Sequence, residues 1–176
     1  MEQDIPSDLY EELLGSLPSS DGVKRKLWAE RIVYESIDLK LLYGLLREDK
    51  KVATRFLWLL SDIGLLAPGY LLLQLPDLFA YCQHNHKDYL PSFASYWLYV
   101  GVPEQQEAQA IDVLFQCLYS GQSNTTLKSR SMWVLAKLSQ KHPELKNELR
   151  LCLEDQKDKY TADFAKRVDK ILLQIH

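Results

Sequence analysis

Residues 110–117 read Ala-Ile-Asp-Val-Leu-Phe-Gln-Cys, and related octapeptides lie 35 residues before and after them: Leu-Pro-Asp-Leu-Phe-Ala-Tyr-Cys at 75–82 and Leu-Lys-Asn-Glu-Leu-Arg-Leu-Cys at 145–152. The first, fifth and eighth residues of each are apolar, and this spacing places them on one face of a helix. A period of about 20–50 residues is typical of a repeat array. The sequence therefore predicts a helix that recurs every 35 residues, with a buried stripe that ends in Cys82, Cys117 or Cys152.

A second motif, Arg-x-x-Trp, marks the helix that precedes this stripe. It occurs at Arg25 and Trp28, Arg55 and Trp58, and Arg130 and Trp133. Near Trp97 the arginine is missing, and after Arg167 the position of the tryptophan is taken by Lys170. A charge at that position is typical of a terminal repeat, because one face of a terminal repeat meets water.

Helical periodicity predicts nine or ten helices, and no segment alternates with the period of a strand. The expected helices are Asp8–Leu14 (capped by Ser7), Asp21–Tyr34, Leu39–Arg47, Lys51–Leu65, Gly69–Gln83, Pro91–Val100, Glu104–Tyr119, Leu127–Gln140, Pro143–Glu154 and Thr161–Ile175. Pro68, Pro103 and Pro143 fall where second helices begin, a position that proline tolerates. Pro76 falls inside a predicted helix and is expected to kink or divide it.

These helices are predicted to form a single helical-repeat domain over residues 1–176. Residues 1–50 would cap its N-terminal end, residues 51–154 would form three helix-pair repeats, and residues 155–176 would cap its C-terminal end.

The paired helices resemble HEAT or armadillo-type repeats, most closely at 52–63 and 127–138, where an arginine lies early in the first helix, and at 141–149, which is similar to a second helix. The resemblance covers residues 21–175. It implies an all-α fold, a right-handed superhelix of stacked antiparallel helix pairs, with inner helices that line a concave, protein-binding surface. A distant branch of this class, the DNA-alkylation-repair glycosylases, shares no site motif that can be carried onto this chain. The tetratricopeptide signature is missing.

The composition is that of an ordinary globular protein, with a net charge of −3. Residues 1–20 carry five acids and no base, whereas residues 128–176 carry eleven bases and seven acids. The C-terminal bases could meet an anionic partner, but ordinary pairing on solvated helix faces is favoured. Three cysteines on apolar stripes predict reduced core thiols, and with no signal peptide or membrane span apparent, a cytoplasmic protein.

The repeated residues each have a functional and a structural interpretation. The arginines could form a row of cations for an anionic partner, or could pair with acids of the next repeat, for which Asp62, Asp77 and Asp112 are candidates. The tryptophans could be stacking platforms for bases, but core positions are favoured for Trp58 and Trp133, and less so for Trp28.

The uncharged segment 89–103 is the candidate partner-binding site. Its aromatic residues could belong to a fully buried central helix, the favoured interpretation, or could form an aromatic patch on the concave face. The residues concerned are Tyr89, Phe93, Tyr96, Trp97 and Tyr99.

No pattern predicts catalysis, a cofactor or a metal site. Cys82, His84 and His86 lie close in sequence, but no second cluster completes a metal site and nothing orients a histidine beside a thiol. The prediction is a non-enzymatic module that binds a protein or peptide on its concave face. The alternative is a nucleic-acid-binding or alkylation-repair-like protein, which the sequence disfavours because the longest basic run is Lys24-Arg25-Lys26.

Overall fold

The structure, a computed structural model, describes residues 7–176. Over this range the chain is all-α, with no strand. Its α-helices are α1 (Ser7–Ser16), α2 (Gly22–Tyr34), α3 (Lys50–Leu66), α4 (Pro68–Asn85), α5 (Phe93–Val100), α6 (Glu107–Tyr119), α7 (Thr125–Lys141), α8 (Leu145–Gln156) and α9 (Ala162–Gln174). Short 3₁₀ segments lie at Leu17–Ser19, Leu39–Arg47, Lys87–Ser92, Glu104–Gln106 and Lys157–Lys159.

Polar side chains set the starts of several helices. Asp21 accepts a hydrogen bond from the Lys24 amide at 2.8 Å, and Asp49, Asn124 and Thr161 cap α3, α7 and α9 in the same way. Such caps satisfy backbone amides that have no partner inside the helix. The predicted cap at Ser7 concerns a side chain outside the described part of the structure.

One feature of α4 differs from the sequence prediction. The helix runs without interruption from Pro68 to Asn85, with Pro76 in its interior. Of the two predicted effects of Pro76, a kink or a division of the helix, division is therefore wrong. Leu71, Leu75, Leu78 and Phe79 of the same helix are buried, and this packing offsets the cost of the amide that proline lacks.

The chain falls into two compact units, one ending at Lys87 and one beginning at Asp88. In the first unit α3 packs against α2, α4 and the 3₁₀ segment Leu39–Arg47. In the second unit α7 packs against α5, α6, α8 and α9. That the two units form one domain with the predicted repeat and cap boundaries stays a prediction.

The repeated apolar stripe forms the core of both units. Cys82, Cys117 and Cys152 are buried and free, as predicted. The stripe positions before them are buried too, apart from Leu145, which is half-buried at the start of α8. Burial of an apolar side chain contributes about 1.5–3 kcal/mol, so these positions are a main source of stability.

Polar contacts within each unit repeatedly join residues about one repeat apart. In the first unit, Gln74 accepts a hydrogen bond from the Leu39 amide, 35 residues away. In the second unit, Lys141 binds Glu107 and Arg167 binds Ser129, across 34 and 38 residues. The sequence period is thus the separation at which neighbouring helix pairs contact each other.

Several of the C-terminal bases are paired with acids in the structure. Lys157 contacts Asp169 at 2.7 Å, Lys159 contacts Asp155 at 2.7 Å, and Arg167 contacts Asp163 at 2.8 Å. These pairs agree with the interpretation of this region as solvated helix faces, and they leave less of its positive charge for an anionic partner.

A buried lysine closes the end of α6. Lys128 of α7 is completely inaccessible to solvent, and its ammonium group donates hydrogen bonds to the carbonyl oxygens of Cys117 and Leu118. The last carbonyls of a helix have no partner inside it and carry partial negative charge, so a cation there is favourable. The ring of Tyr160 covers the same ammonium group at 5.3 Å.

Replacing Lys128 by methionine keeps most of the side-chain volume but leaves both carbonyls without a buried donor. We expect Lys128→Met to lower the free energy of unfolding by about 1–3 kcal/mol in urea denaturation followed by circular dichroism. The control is Lys137→Met on the exposed face of α7, which should change it by less than about 0.5 kcal/mol. Equal stability of the two variants would contradict this role.

A second contact between neighbouring helix pairs depends on pH. Glu107 accepts hydrogen bonds from Lys141 at 2.8 Å and His142 at 2.6 Å, and these bonds lower the pKa of Glu107 below its usual value of 4.5. A carboxyl whose pKa is depressed in the folded state stabilises that state above its unfolded pKa. The contribution is lost as the pH falls through the folded-state pKa.

We therefore expect Glu107→Gln to flatten the acid side of the stability profile. The wild-type protein should lose unfolding free energy as the pH falls below about 4.5, and the variant should lose less over the same range. Glu104→Gln is the matched control, because Glu104 also contacts Lys141 but is largely exposed. Thermal melts between pH 7 and pH 3 measure this, and parallel profiles for wild type and Glu107→Gln would rule it out.

Candidate functional site

The aromatic segment predicted to bind a partner is mostly buried. Phe93, Tyr96 and Trp97 of α5 are at most 1% exposed, while Tyr89 and Tyr99 are half-buried. The rings of Phe93 and Trp97 lie 5.4 Å apart, and α5 packs against α7. The favoured interpretation of a buried helix therefore describes these three side chains, and the alternative of an open aromatic patch is wrong for them. The cause is that α5 is apolar on nearly every face.

The tryptophans of the repeated motif also differ from prediction. Trp58, predicted to be core, is 48% exposed, and Trp133 is half-buried. Trp28, for which burial was less expected, is only 4% exposed, and its indole N–H donates to Glu12 at 2.9 Å. The Arg-x-x-Trp motif thus fixes a helix position without fixing how deeply the indole is buried.

Two guanidinium groups flank the exposed indole of Trp58. Arg55, one turn earlier on α3, lies 4.6 Å from the ring centroid, and Arg25 of α2 lies 5.4 Å from it. Arg25 is held by Asp62 at 3.1 Å, and Arg55 donates to the carbonyl oxygen of Ser20 at 2.9 Å. Each cation–π contact at such a site contributes about 0.5–1 kcal/mol, so the indole has a fixed orientation at the surface.

The same face of α3 carries further exposed residues. Positions seven residues before and after Trp58 lie on the same side of a helix, and they are Lys51 and Leu65, both exposed. We call this the Trp58 surface; its members are Arg25, Lys51, Arg55, Trp58, Asp62 and Leu65. It lies wholly within the first unit, and its three bases and one acid give it a net positive charge.

The arginines of the motif share a structural contact. Arg130 donates to the hydroxyl of Ser95 at 2.6 Å and lies over the ring of Tyr99, and Arg167 donates to Ser129 at 3.2 Å. With the contact of Arg55 to the backbone carbonyl oxygen of Ser20, three of the four arginines reach a serine 35–38 residues earlier, whereas Arg25 pairs with Asp62. This pattern supports the structural interpretation of the arginines.

The candidate acids for these arginines have different fates. Asp62 does pair with Arg25, as predicted. Asp77 pairs with Lys40 at 2.8 Å instead of with an arginine. Asp112 was the third candidate partner for an arginine of the motif, but Arg130 binds Ser95. Ser95 lies on α5, which packs against the helix of Arg130, whereas Asp112 lies on α6.

The thiols and histidines do not form a reactive pair. Burial raises the pKa of Cys82 to about 12 and also raises the pKa of Cys152, so both thiols are protonated near neutral pH. His84 contacts the Ala80 carbonyl oxygen at 2.9 Å through Nδ1. Among residues 7–176, no group of three or more His, Cys, Asp or Glu residues is arranged to hold a metal ion.

Comparison of the chain with protein-family models, curated proteins and solved structures finds no match. The resemblance to HEAT or armadillo-type repeats therefore stays an interpretation of the sequence. Within the described part of the chain, no helix combines the length and apolar character needed to cross a bilayer.

If the repeated arginines are structural, their serine contacts should contribute to stability. We expect Arg130→Met and Ser95→Ala each to lower the unfolding free energy, with a coupling of about 1 kcal/mol in a double-mutant cycle. The control is Arg150→Met on α8, where the guanidinium binds exposed Asn147 and little effect is expected. A coupling near zero would show that Arg130 is available for another role.

Proposed function

We propose that this chain is a non-enzymatic helical-repeat module that binds a protein or peptide partner. We further propose that its units form the right-handed, HEAT-like superhelix that the sequence pattern predicts, with the first helices of the pairs lining the concave face. The one-repeat spacing of polar contacts in both units supports this arrangement. Three buried, free thiols support a reducing, cytoplasmic location.

The Trp58 surface is the proposed contact region, and the half-exposed indole of Trp58 is the observation that carries the proposal. Tryptophan and arginine are the residue types that most often dominate binding energy in protein interfaces. Flanking by Arg25 and Arg55 fixes the indole before a partner arrives, which lowers the entropy lost on binding. Leu65, 61% exposed, adds apolar area on the same face.

The charge of this surface indicates the chemistry of the partner. Arg25, Lys51 and Arg55 outnumber Asp62, and Asp62 is already paired with Arg25. A segment that places an apolar or aromatic side chain on Trp58 and carboxylates beside Lys51 and Arg55 would match both features. We therefore propose an acidic peptide segment with at least one large apolar residue.

A nucleic acid is the second candidate, because the same residues suit it. Stacking of a base on an exposed indole beside basic side chains is a common mode of single-strand binding. Against it, Arg25 and Arg55 already cover the ring and have protein partners. Binding that falls steeply with added salt would distinguish this candidate.

Selection of a random dodecapeptide library on the immobilised protein tests the proposal. Selected peptides should be acidic and carry an aromatic or large aliphatic residue. Their affinity for Trp58→Ala should fall about tenfold or more, because truncation of an interface hot spot costs at least about 2 kcal/mol. Isothermal titration calorimetry with synthetic peptides gives the affinities.

Tyr119→Ala is the matched control, since Tyr119 is a similarly exposed aromatic residue of the second unit. It should bind the selected peptides as the wild-type protein does. Equal loss in both variants, or no loss in Trp58→Ala, would contradict the proposal. Salt-sensitive binding of single-stranded DNA that Trp58→Ala abolishes, without any selected peptide, would favour the second candidate.

A further inference from the structure

A polar cavity of about 250 Å³ lies in the first unit, away from the Trp58 surface. It is formed where the turn after α2 meets the 3₁₀ segment Leu39–Arg47 and the first half of α4. Its walls include Ser36, Asp38, Lys40, Tyr43, Tyr70 and Asp77. This volume is below the range of about 300–1,000 Å³ usual for drug-sized ligands, so the cavity suits one small group.

Hydrogen bonds hold the walls of this cavity in place. Tyr70 of α4 donates its hydroxyl to the carbonyl oxygen of Ile37, and Gln74 accepts from the Leu39 amide at 2.8 Å. Ser36 has a positive φ of 52°, an unusual conformation for a residue other than glycine. The chain therefore makes a fixed, sharp turn at the mouth of the cavity.

The charges of the cavity favour a cation. Two carboxylates, Asp38 and Asp77, face a single base, Lys40, whose ammonium group lies 2.8 Å from Asp77. Asp38 accepts a hydrogen bond from the Lys40 amide at 3.0 Å, so the one ammonium group of the cavity stands beside two carboxylates. The cavity therefore carries a net negative charge, which would repel an anion.

A buried hydroxyl without a partner points to a ligand in this cavity. Tyr43 is 7% exposed, and among the described residues its hydroxyl has no hydrogen-bond partner. Tyr43 lines the cavity together with Asp38 and Asp77, and burial and then these two carboxylates raise the pKa of its hydroxyl. Buried polar groups normally have a hydrogen-bond partner, so the oxygen of this hydroxyl is able to accept a hydrogen bond from a ligand.

We propose that this cavity binds a small organic cation, an alkylammonium or a guanidinium group, whose N–H donors reach the Tyr43 hydroxyl oxygen and the carboxylate of Asp38. The rings of Tyr43 and Tyr70 line the space for its alkyl part. The same chemistry could come from a free amine or from a lysine or arginine side chain of a peptide. This inference does not rest on the function proposed for the Trp58 surface.

Titration with n-butylammonium, followed by ¹H–¹⁵N correlation spectra, tests this inference on the full chain. Amide signals of residues 36–43 and 70–77 should shift saturably, and n-butanol and butyrate should not produce the same shifts. Tyr43→Phe should weaken the affinity about tenfold, because it removes one hydrogen bond to a charged group. Asp38→Asn should weaken it as well, while asparagine keeps the cap of the 3₁₀ segment.

Two matched controls separate the site from general effects of charge. Asp112 occupies in α6 the repeat position that Asp77 occupies in α4, and it is exposed, so Asp112→Asn should bind as the wild type does. Tyr34→Phe, at a fully exposed tyrosine, should also bind normally. Circular dichroism of each variant confirms that the helices are intact.

A second arm identifies the source of the cation. Tighter binding of acetyl-Gly-Lys-Gly-amide than of n-butylammonium would indicate a peptide side chain, and the reverse would indicate a free amine; either result supports the site. No saturable shift at residues 36–43, equal shifts with n-butanol, or unchanged affinity of Tyr43→Phe would overturn it.

Discussion

The structure depends on the contact between a helix pair and its neighbour one repeat away. An amphipathic helix pair of about 35 residues cannot bury both of its apolar faces alone, so its stability comes from the next pair. Within each unit, the buried stripes that end in Cys82, Cys117 and Cys152 supply apolar side chains to the core. The polar part of the contact consists of hydrogen bonds from Arg55 to the Ser20 carbonyl oxygen and from Arg130 and Arg167 to the hydroxyls of Ser95 and Ser129, across 35–38 residues.

This constraint explains why one motif can have different surroundings. The arginine of Arg-x-x-Trp contacts a residue about one repeat away in both units: Arg55 binds the Ser20 carbonyl oxygen and Arg130 binds the Ser95 hydroxyl. Among the described residues, the tryptophan makes no hydrogen bond that is repeated from one motif to the next, so its exposed fraction depends on its own neighbours. Trp28 finds Glu12 of α1 and is buried, whereas Trp58 finds two guanidinium groups and stays at the surface. The motif therefore leaves the exposure of its tryptophan to the local surroundings, and Trp58 is the most exposed of the three.

The sequence predicted the helices well because their signals are local. The predicted bounds of Leu39–Arg47 agree with the structure, although that segment is 3₁₀ rather than α. Capping residues and apolar periodicity lie within a few positions of each helix end, and burial of the thiols follows from the same periodicity.

The sites were harder to predict because they depend on neighbours that are distant in sequence. Trp58 is exposed because of where Arg25 lies, and Phe93, Tyr96 and Trp97 are buried because of where α7 lies. Lys128 reads as an ordinary surface lysine until α6 is seen to end beside it. The cavity at Tyr43 joins residues more than 30 positions apart, and no local pattern marks it.

The distribution of charge shows why the net value of −3 is a poor guide to binding. The first unit alone has a surface with excess positive charge around Trp58 and a cavity with excess negative charge around Tyr43. The positive and negative charges of these two regions cancel in the net charge of the chain. The electrostatic field of each region still acts over a distance comparable to the screening length of about 8–10 Å. The two proposals therefore assign ligands of opposite charge to one small unit, through regions that share no residue.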